Sequence, residues 1–204
     1  MKHSPLIRPA VDSDIDAASE TLAKAFSDYP FTRYTVDSRD HQDRVRQLQR
    51  LYLTDIGMRC GRVWVADDAS AVAVWTTPSS TGVDDAFGRI AARVNELHGD
   101  RAAATAQADE LIAPLRPTEP VWFLATVGVD PDVQGRGLGR AVLEPGLDAA
   151  RSEGVPVYLE TSSESNLGFY RQFGFEVVGS VDLPDGGPRT WAMRNDVLGK
   201  IECS

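Results

Sequence analysis

The run Gln134-Gly135-Arg136-Gly137-Leu138-Gly139-Arg140 has residue types and spacing suited to gripping an anion. It follows an apolar stretch and opens a segment of helical pattern. The first turn of a helix offers backbone N–H groups without intrahelical partners and the positive end of the helix dipole, a natural cradle for phosphate. Glycines let the main chain approach the ligand, and Arg136 and Arg140 add charge. The dinucleotide fingerprint G-x-G-x-x-G fails, because its last position counted from Gly135 is Arg140, and no G-x-x-x-x-G-K-[ST] loop exists. A glycine-rich turn with no ligand is the plainer alternative. Further along, Asn166 and Tyr170 stand four residues apart, hence on one face of a short helix. Here the plainer alternative is a buried aromatic face made of Phe169, Tyr170 and Phe173.

Regular elements must hold these groups in place. Leu6 to Pro9 reads as a short strand, and Asp12 as a cap for a helix carrying Ile15, Ala18, Leu22, Ala25 and Phe26 at helical spacing. Asp28-Tyr29-Pro30-Phe31-Thr32-Arg33-Tyr34 breaks that helix, and a second helix is expected from about Arg39 to Met58. Arg62–Ala66 and Ala71–Thr76 form a hairpin around Asp67-Asp68-Ala69-Ser70. Residues 83–113 are helical in composition, with a break at Gly99-Asp100. Residues 121–129 form a continuous apolar strand of the kind buried on both faces, and residues 138–153 read as a helix. A strand at 155–160, a short helix at 166–173 and closing strands at 175–181 and 189–193 complete the chain. The expected architecture is one mixed α/β domain over residues 5–195, with a tail at 196–204.

With 204 residues, 42% of them hydrophobic and 25% charged, the chain can bury a single globular core. Its net charge of −9 argues against nucleic acid or an anionic membrane as partner and favours cationic small molecules. Cys60 and Cys203 supply neither a disulfide framework nor a zinc set, and the widely spaced His3, His41 and His98 make a metal site unexpected. The amino terminus has no signal-peptide apolar core and no 18-residue apolar run occurs, so the chain reads as cytoplasmic. Monomer and homodimer both remain open.

The pattern Gln-x-x-Gly-x-Gly at Gln134, Gly137 and Gly139, placed between strand and helix, resembles the acetyl-CoA signature of the GNAT N-acetyltransferase superfamily. Its members share a mostly antiparallel sheet flanked by helices, with middle strands splayed apart. The resemblance implies that the loop amides from Gln134 to Arg140 hold the pyrophosphate of coenzyme A. It also implies that Val127, Gly128 and Val129 pair their backbone with the pantetheine arm, and that an N–H near Val127 donates to the oxyanion. A glycine within a strand suits such close approach, although a core strand that merely contains glycine is the alternative. By the same resemblance Tyr170 is the general acid for the departing thiolate, with Asn166 near the pantetheine. A phenol keeps its proton near pH 7 yet lies close enough in acidity to a thiol to share it. Attack by the amine is direct, and Glu160, late in its strand, is the candidate base; a role holding neighbouring backbone is the equal alternative.

Segments outside the loop carry the resemblance further, toward superfamily members that acetylate the antibiotic puromycin. They include Ala25-Phe26-Ser27-Asp28-Tyr29-Pro30, Val63 to Asp68, Ala71 to Pro78, Trp122 to Val129, Leu159-Glu160-Thr161-Ser162 and Pro188-Arg189-Thr190-Trp191. This implies an aromatic primary amine as acceptor, met by Tyr29, Phe31, Tyr34 and Trp75, with Asp28 attracting its charge. A transferase for another amine or peptide, and a coenzyme A sensor without catalysis, are the rival readings.

Overall fold

The computed structural model of the chain describes residues 5–196. Seven strands form one sheet in the order β1-β2-β3-β4-β5-β7-β6. They are β1 (Ile7–Pro9), β2 (Arg62–Ala66), β3 (Ala71–Thr76), β4 (Trp122–Val129), β5 (Val157–Thr161), β6 (Glu176–Asp182) and β7 (Arg189–Asn195). Every neighbouring pair is antiparallel except β4 and β5. The helices are α1 (Ile15–Phe26), α2 (Pro30–Thr35), α3 (His41–Leu51), α4 (Val83–His98), α5 (Ala102–Ile112), α6 (Leu138–Glu153) and α7 (Ser165–Arg171). This is the mixed α/β sheet expected from the alternation of patterns. Cys203, His3 and all but the first residue of the expected tail lie outside the described residues. Among those described, no helix is long and apolar enough to cross a membrane, and no group of His, Cys, Asp and Glu could hold a metal ion.

α6 covers one face. Leu138, Val142, Leu143, Leu147 and Ala150 recur at helical spacing and are buried against Ala73, Trp75, Leu124 and Leu159. Each such leucine contributes about 1.5–3 kcal/mol by leaving water. On the other face α1 sets Ala18 and Leu22 against Val63, Val65, Val72 and Val74. The helix expected over 39–58 is one rod only to Leu51; Tyr52–Met58 continues as a π-helix. Those wider turns place Leu53 with the α1 core and Ile56 with Ala86 and Ile90 of α4, two faces that uniform α-helical spacing does not serve together. The cap expected at Asp12 falls instead within a 3-10 turn, Asp12–Asp14, that leads into α1.

β4 differs most from expectation. Opposite β3, Val74 faces Thr126 while Trp75 faces Leu124, so Ala125 is an extra residue in β4. The bulge shifts the alternation, and Trp122, Leu124, Val127 and Val129 all turn to the α6 side. Pairing with β5 stops after Leu124–Leu159, although β4 continues along β3 to Val129 and β5 along β7 to Thr161. The two strands part, and β4 has open backbone on one side from Ala125 onward. Ala125 is therefore exposed and Val127 and Val129 only half-buried, not sealed on both faces.

Candidate active site

The parted strands point their carboxyl ends at two turns that close the mouth of the opening, one leading into α6 and the other into α7. In the first, Gly135 and Gly137 adopt φ of 77° and 84°, a left-handed backbone that any side chain would strain. A Cβ placed on either would meet nothing within 4 Å, so the turn is unobstructed. The first recorded bond of α6 runs from Ala141 N–H to Gly137 O, and the N–H groups from Gly135 to Arg140 take no partner among the described residues. Unpartnered donors, a helix start and open space fit a diphosphate. The resemblance noted for this loop implies that such a diphosphate is the pyrophosphate of coenzyme A.

The side chains of this turn divide by task. Leu138 is buried in the core, so only its main chain is available. The Gln134 amide donates to Val129 O at 3.3 Å and braces the turn on the end of β4. Arg140 is directed elsewhere than expected: it donates to Gln172 Oε1 at 3.1 Å and its guanidinium lies 4.6 Å from the Phe173 ring centre, bridging α6 to the segment after α7. Arg136 lies beside Asp67, Asp68, Asp130 and Asp132 around an acidic groove. Gly128 faces α1, where a Cβ would come within 3.0 Å of Leu22 and Ala25; its close approach is to that helix.

In the second turn, Asn166 and Tyr170 share one face of α7 as expected, and Tyr170 stands among Phe169 and Phe175 with ring centres 5.3 and 5.9 Å away. It is 6% exposed, and burial, with the nearby Tyr29 adding to it, pushes its phenol well above the ordinary tyrosine range. No hydrogen bond to its hydroxyl is found among the described residues, yet unlike Tyr34 it is not sealed. Asn166 donates to Thr161 Oγ1 at 3.2 Å. Thr161 Oγ1 lies 3.1 Å from the Tyr29 hydroxyl, which also accepts the Ser162 N–H. Tyr29 thus fastens the loop after α1 to the end of β5, a polar role beyond the flat surface expected of it.

Glu160 is the first residue of β5 past the last pair with β4. Its side chain is 16% exposed, and both carboxylate oxygens are engaged. Arg116 Nε donates to Oε1 at 2.8 Å and Nη2 to Oε2 at 3.3 Å, while the Tyr158 hydroxyl donates to Oε1 at 3.2 Å. Arg116 Nη1 also pairs with Asp109 at 2.9 Å. Burial, then the neighbouring Glu160 charge, raises the Tyr158 phenol, so it stays protonated and donating. Spacing gave no sign of Arg116, which lies 44 residues from Glu160. Tyr158 was findable, two positions from Glu160 on the same strand face.

Of the expected acceptor residues, Tyr29 alone reaches the opening. Phe31 and Tyr34 pack with Ala108, Ile112 and Leu183 beneath the turn between β6 and β7. Tyr34 helps line a separate shallow cavity of about 410 Å³ with Pro30, Arg33, Arg101 and Asp185. The Asp28 side chain is 91% exposed, 3.8 Å from Arg33. Trp75 is placed in the core under α6, 0% exposed, because Gly146 leaves room for its indole. It is on the wrong face to touch an acceptor. Phe123 and Tyr158, ring centres 5.7 Å apart, supply the aromatic surface beside Glu160 instead.

Residues 84–175 match the model of the acetyltransferase (GNAT) family. An uncharacterized N-acetyltransferase of Schizosaccharomyces pombe is 26% identical over 183 residues, spanning 83% of this chain and 74% of the relative. The mycothiol acetyltransferase of Thermobifida fusca is 28% identical over 188 residues, 85% of this chain but 47% of its own, so the chain spans about half of that protein. Among solved structures, a Corynebacterium glutamicum protein described as histone acetyltransferase HPA2 and related acetyltransferase superposes with a TM-score of 0.74 at 26% identity, covering 95% of this chain and 96% of that one. The splayed β4 and β5 and the unpartnered turn before α6 agree with these likenesses: the chain is similar in fold and sequence to acetyltransferases of the GNAT family, whose model its residues 84–175 match.

Proposed function

We propose that this protein transfers an acetyl group from acetyl-CoA to the primary amine of an aromatic small molecule, of which puromycin is the specific case. The observation that carries the reading is the alignment of two features: unpartnered N–H groups from Gly135 to Arg140 at the mouth of the opening, and the free hydroxyl of Tyr170 on its flank. The bound cofactor supplies an activated thioester. The turn before α6 fixes its diphosphate, and the unpaired edge of β4 from Ala125 to Val129 receives the arm as a neighbouring strand would. A main-chain N–H near Val127 donates to the carbonyl oxygen as charge gathers there. Tyr170 gives its proton to the departing sulfur, and its raised pKa keeps that proton in place beforehand. Asn166, steadied on Thr161, holds the start of α7.

The aromatic acceptor is supported by Tyr29, Phe123 and Tyr158 on the acceptor side, and puromycin by the segments from Ala25 to Pro30 and from Leu159 to Ser162. Acetylation of its amine would stop it accepting a peptide chain. The test is release of free thiol from acetyl-CoA with puromycin and with a panel of other amines. Puromycin-dependent release is expected, and Tyr170→Phe should lower kcat by about 100-fold or more, the usual scale of a lost general acid. Release with another amine only would remove puromycin and keep the reaction. Cofactor binding with no release on any amine would leave a sensor.

A further inference from the structure

Glu160 begins the stretch of β5 that has lost β4, and Arg116 sits on the connector that leads from α5 into β4. Their ion pair therefore ties the connector that feeds β4 to β5, just past the last contact of the two strands. Leu115, the preceding residue, lies against Gly179 of β6, so the connector is fastened to the β5–β7–β6 side by two consecutive residues. We infer that Glu160 is a positioning residue and not the general base, and that with Arg116 it sets the width of the opening in which the acceptor amine meets the acetyl group.

The contacts support this over the base. A general base must offer a lone pair toward substrate, whereas Glu160 receives two guanidinium donors and a phenol. Arg116 is held by a second carboxylate, Asp109 of α5, so the guanidinium stays between the two helically and strand-borne acids. Arg116 is itself half-buried, and both ion pairs raise its hold on its proton against the opposing effect of burial. The groups facing Glu160 are Arg116 from the connector, Tyr158 from its own strand and Tyr29 from the loop after α1, whose phenol is raised first by burial and least by the Glu160 charge; Asp109 lies behind Arg116. None of them is a free cation that an arriving amine would replace. With Glu160 fixed, the acceptor amine reaches its neutral form through solvent.

The kinetic arm of the test rests on the transferase reading, and an exchange arm does not. In the full chain, Glu160→Gln and Arg116→Met should each raise the acceptor KM, by about 5- to 20-fold, with kcat lowered less than about 5-fold. The double variant should be no worse than the poorer single one, because both break one tie. The acid limb of kcat/KM should persist in Glu160→Gln. Amide hydrogen exchange over 113–121 should quicken to the same extent in both single variants, with acetyl-CoA binding retained as the check on folding. A fall in kcat of about 100-fold or more in Glu160→Gln, with the acid limb gone and Arg116→Met still active, would make Glu160 the base and overturn the inference. Unchanged exchange over 113–121 would overturn it also. If wild-type protein acetylates no amine, the proposed activity falls, and exchange alone decides whether the tie exists.

Discussion

Tyr170 is a phenol nested among apolar rings, and its surroundings bear on its chemistry directly. Burial disfavours the phenolate, so its pKa lies above the ordinary tyrosine range and the group stays protonated as pH rises through that range. If it is the proton donor, the kcat profile should show no alkaline fall attributable to its ionisation up to about pH 10, the ordinary tyrosine value. A drop below that point, absent in a control with solvent-limited chemistry, would point to another donor. Asn166 and Tyr170 were legible in the sequence because helical spacing places residues four apart side by side. The tie at Glu160 was not: an ion pair between distant segments leaves no periodic trace. Trp75 was misjudged for a related reason. Its strand is buried on both faces, so the alternation of β3 alone does not say which face lies under α6.

Elements show the same division between local and distant causes. The hairpin of β2 and β3 and the helix α6 fall where pattern and turn residues place them, since each is specified by a few consecutive positions. The splay of β4 from β5 is a property of two strands about thirty positions apart and could be expected here only from the superfamily resemblance. α6 also crosses β3 unusually closely. A Cβ on Gly146 would stand 2.5 Å from Trp75 Cε2, and neither the helix backbone nor the indole in its sealed site can yield cheaply. Gly146→Ala should therefore destabilise the fold by about 1–3 kcal/mol, the usual cost of overpacking, despite alanine's better helix propensity. Thermal or denaturant unfolding checks it. An unchanged or higher midpoint would mean that α6 shifts freely on the sheet.

For the molecule as a whole, the acidic excess of −9 makes ionisation part of its stability. Near the amino end, Arg8 holds Asp14 at 2.6 Å, with the Val11 N–H donating to the same carboxylate. First through the Arg8 hydrogen bond, this lowers the Asp14 pKa from 3.8 to about 2. A depressed carboxylate contributes stability that is fully present above its unfolded value and is lost as pH falls toward its folded one. Acid unfolding should accordingly show a component between about pH 4 and pH 2 that Asp14→Asn removes, followed by circular dichroism. An identical acid transition in that variant would show that Asp14 is not linked to it.

Only three residue pairs join β4 to β5, from Trp122–Val157 to Leu124–Leu159. The sheet is in effect two panels, β1 to β4 and β5 to β7, hinged on a short seam and held at set angles by what lies across the gap. A molecule lying in that gap and bonding to both panels would act as a splint. Occupancy would then be felt as rigidity throughout the protein, including parts the ligand never touches.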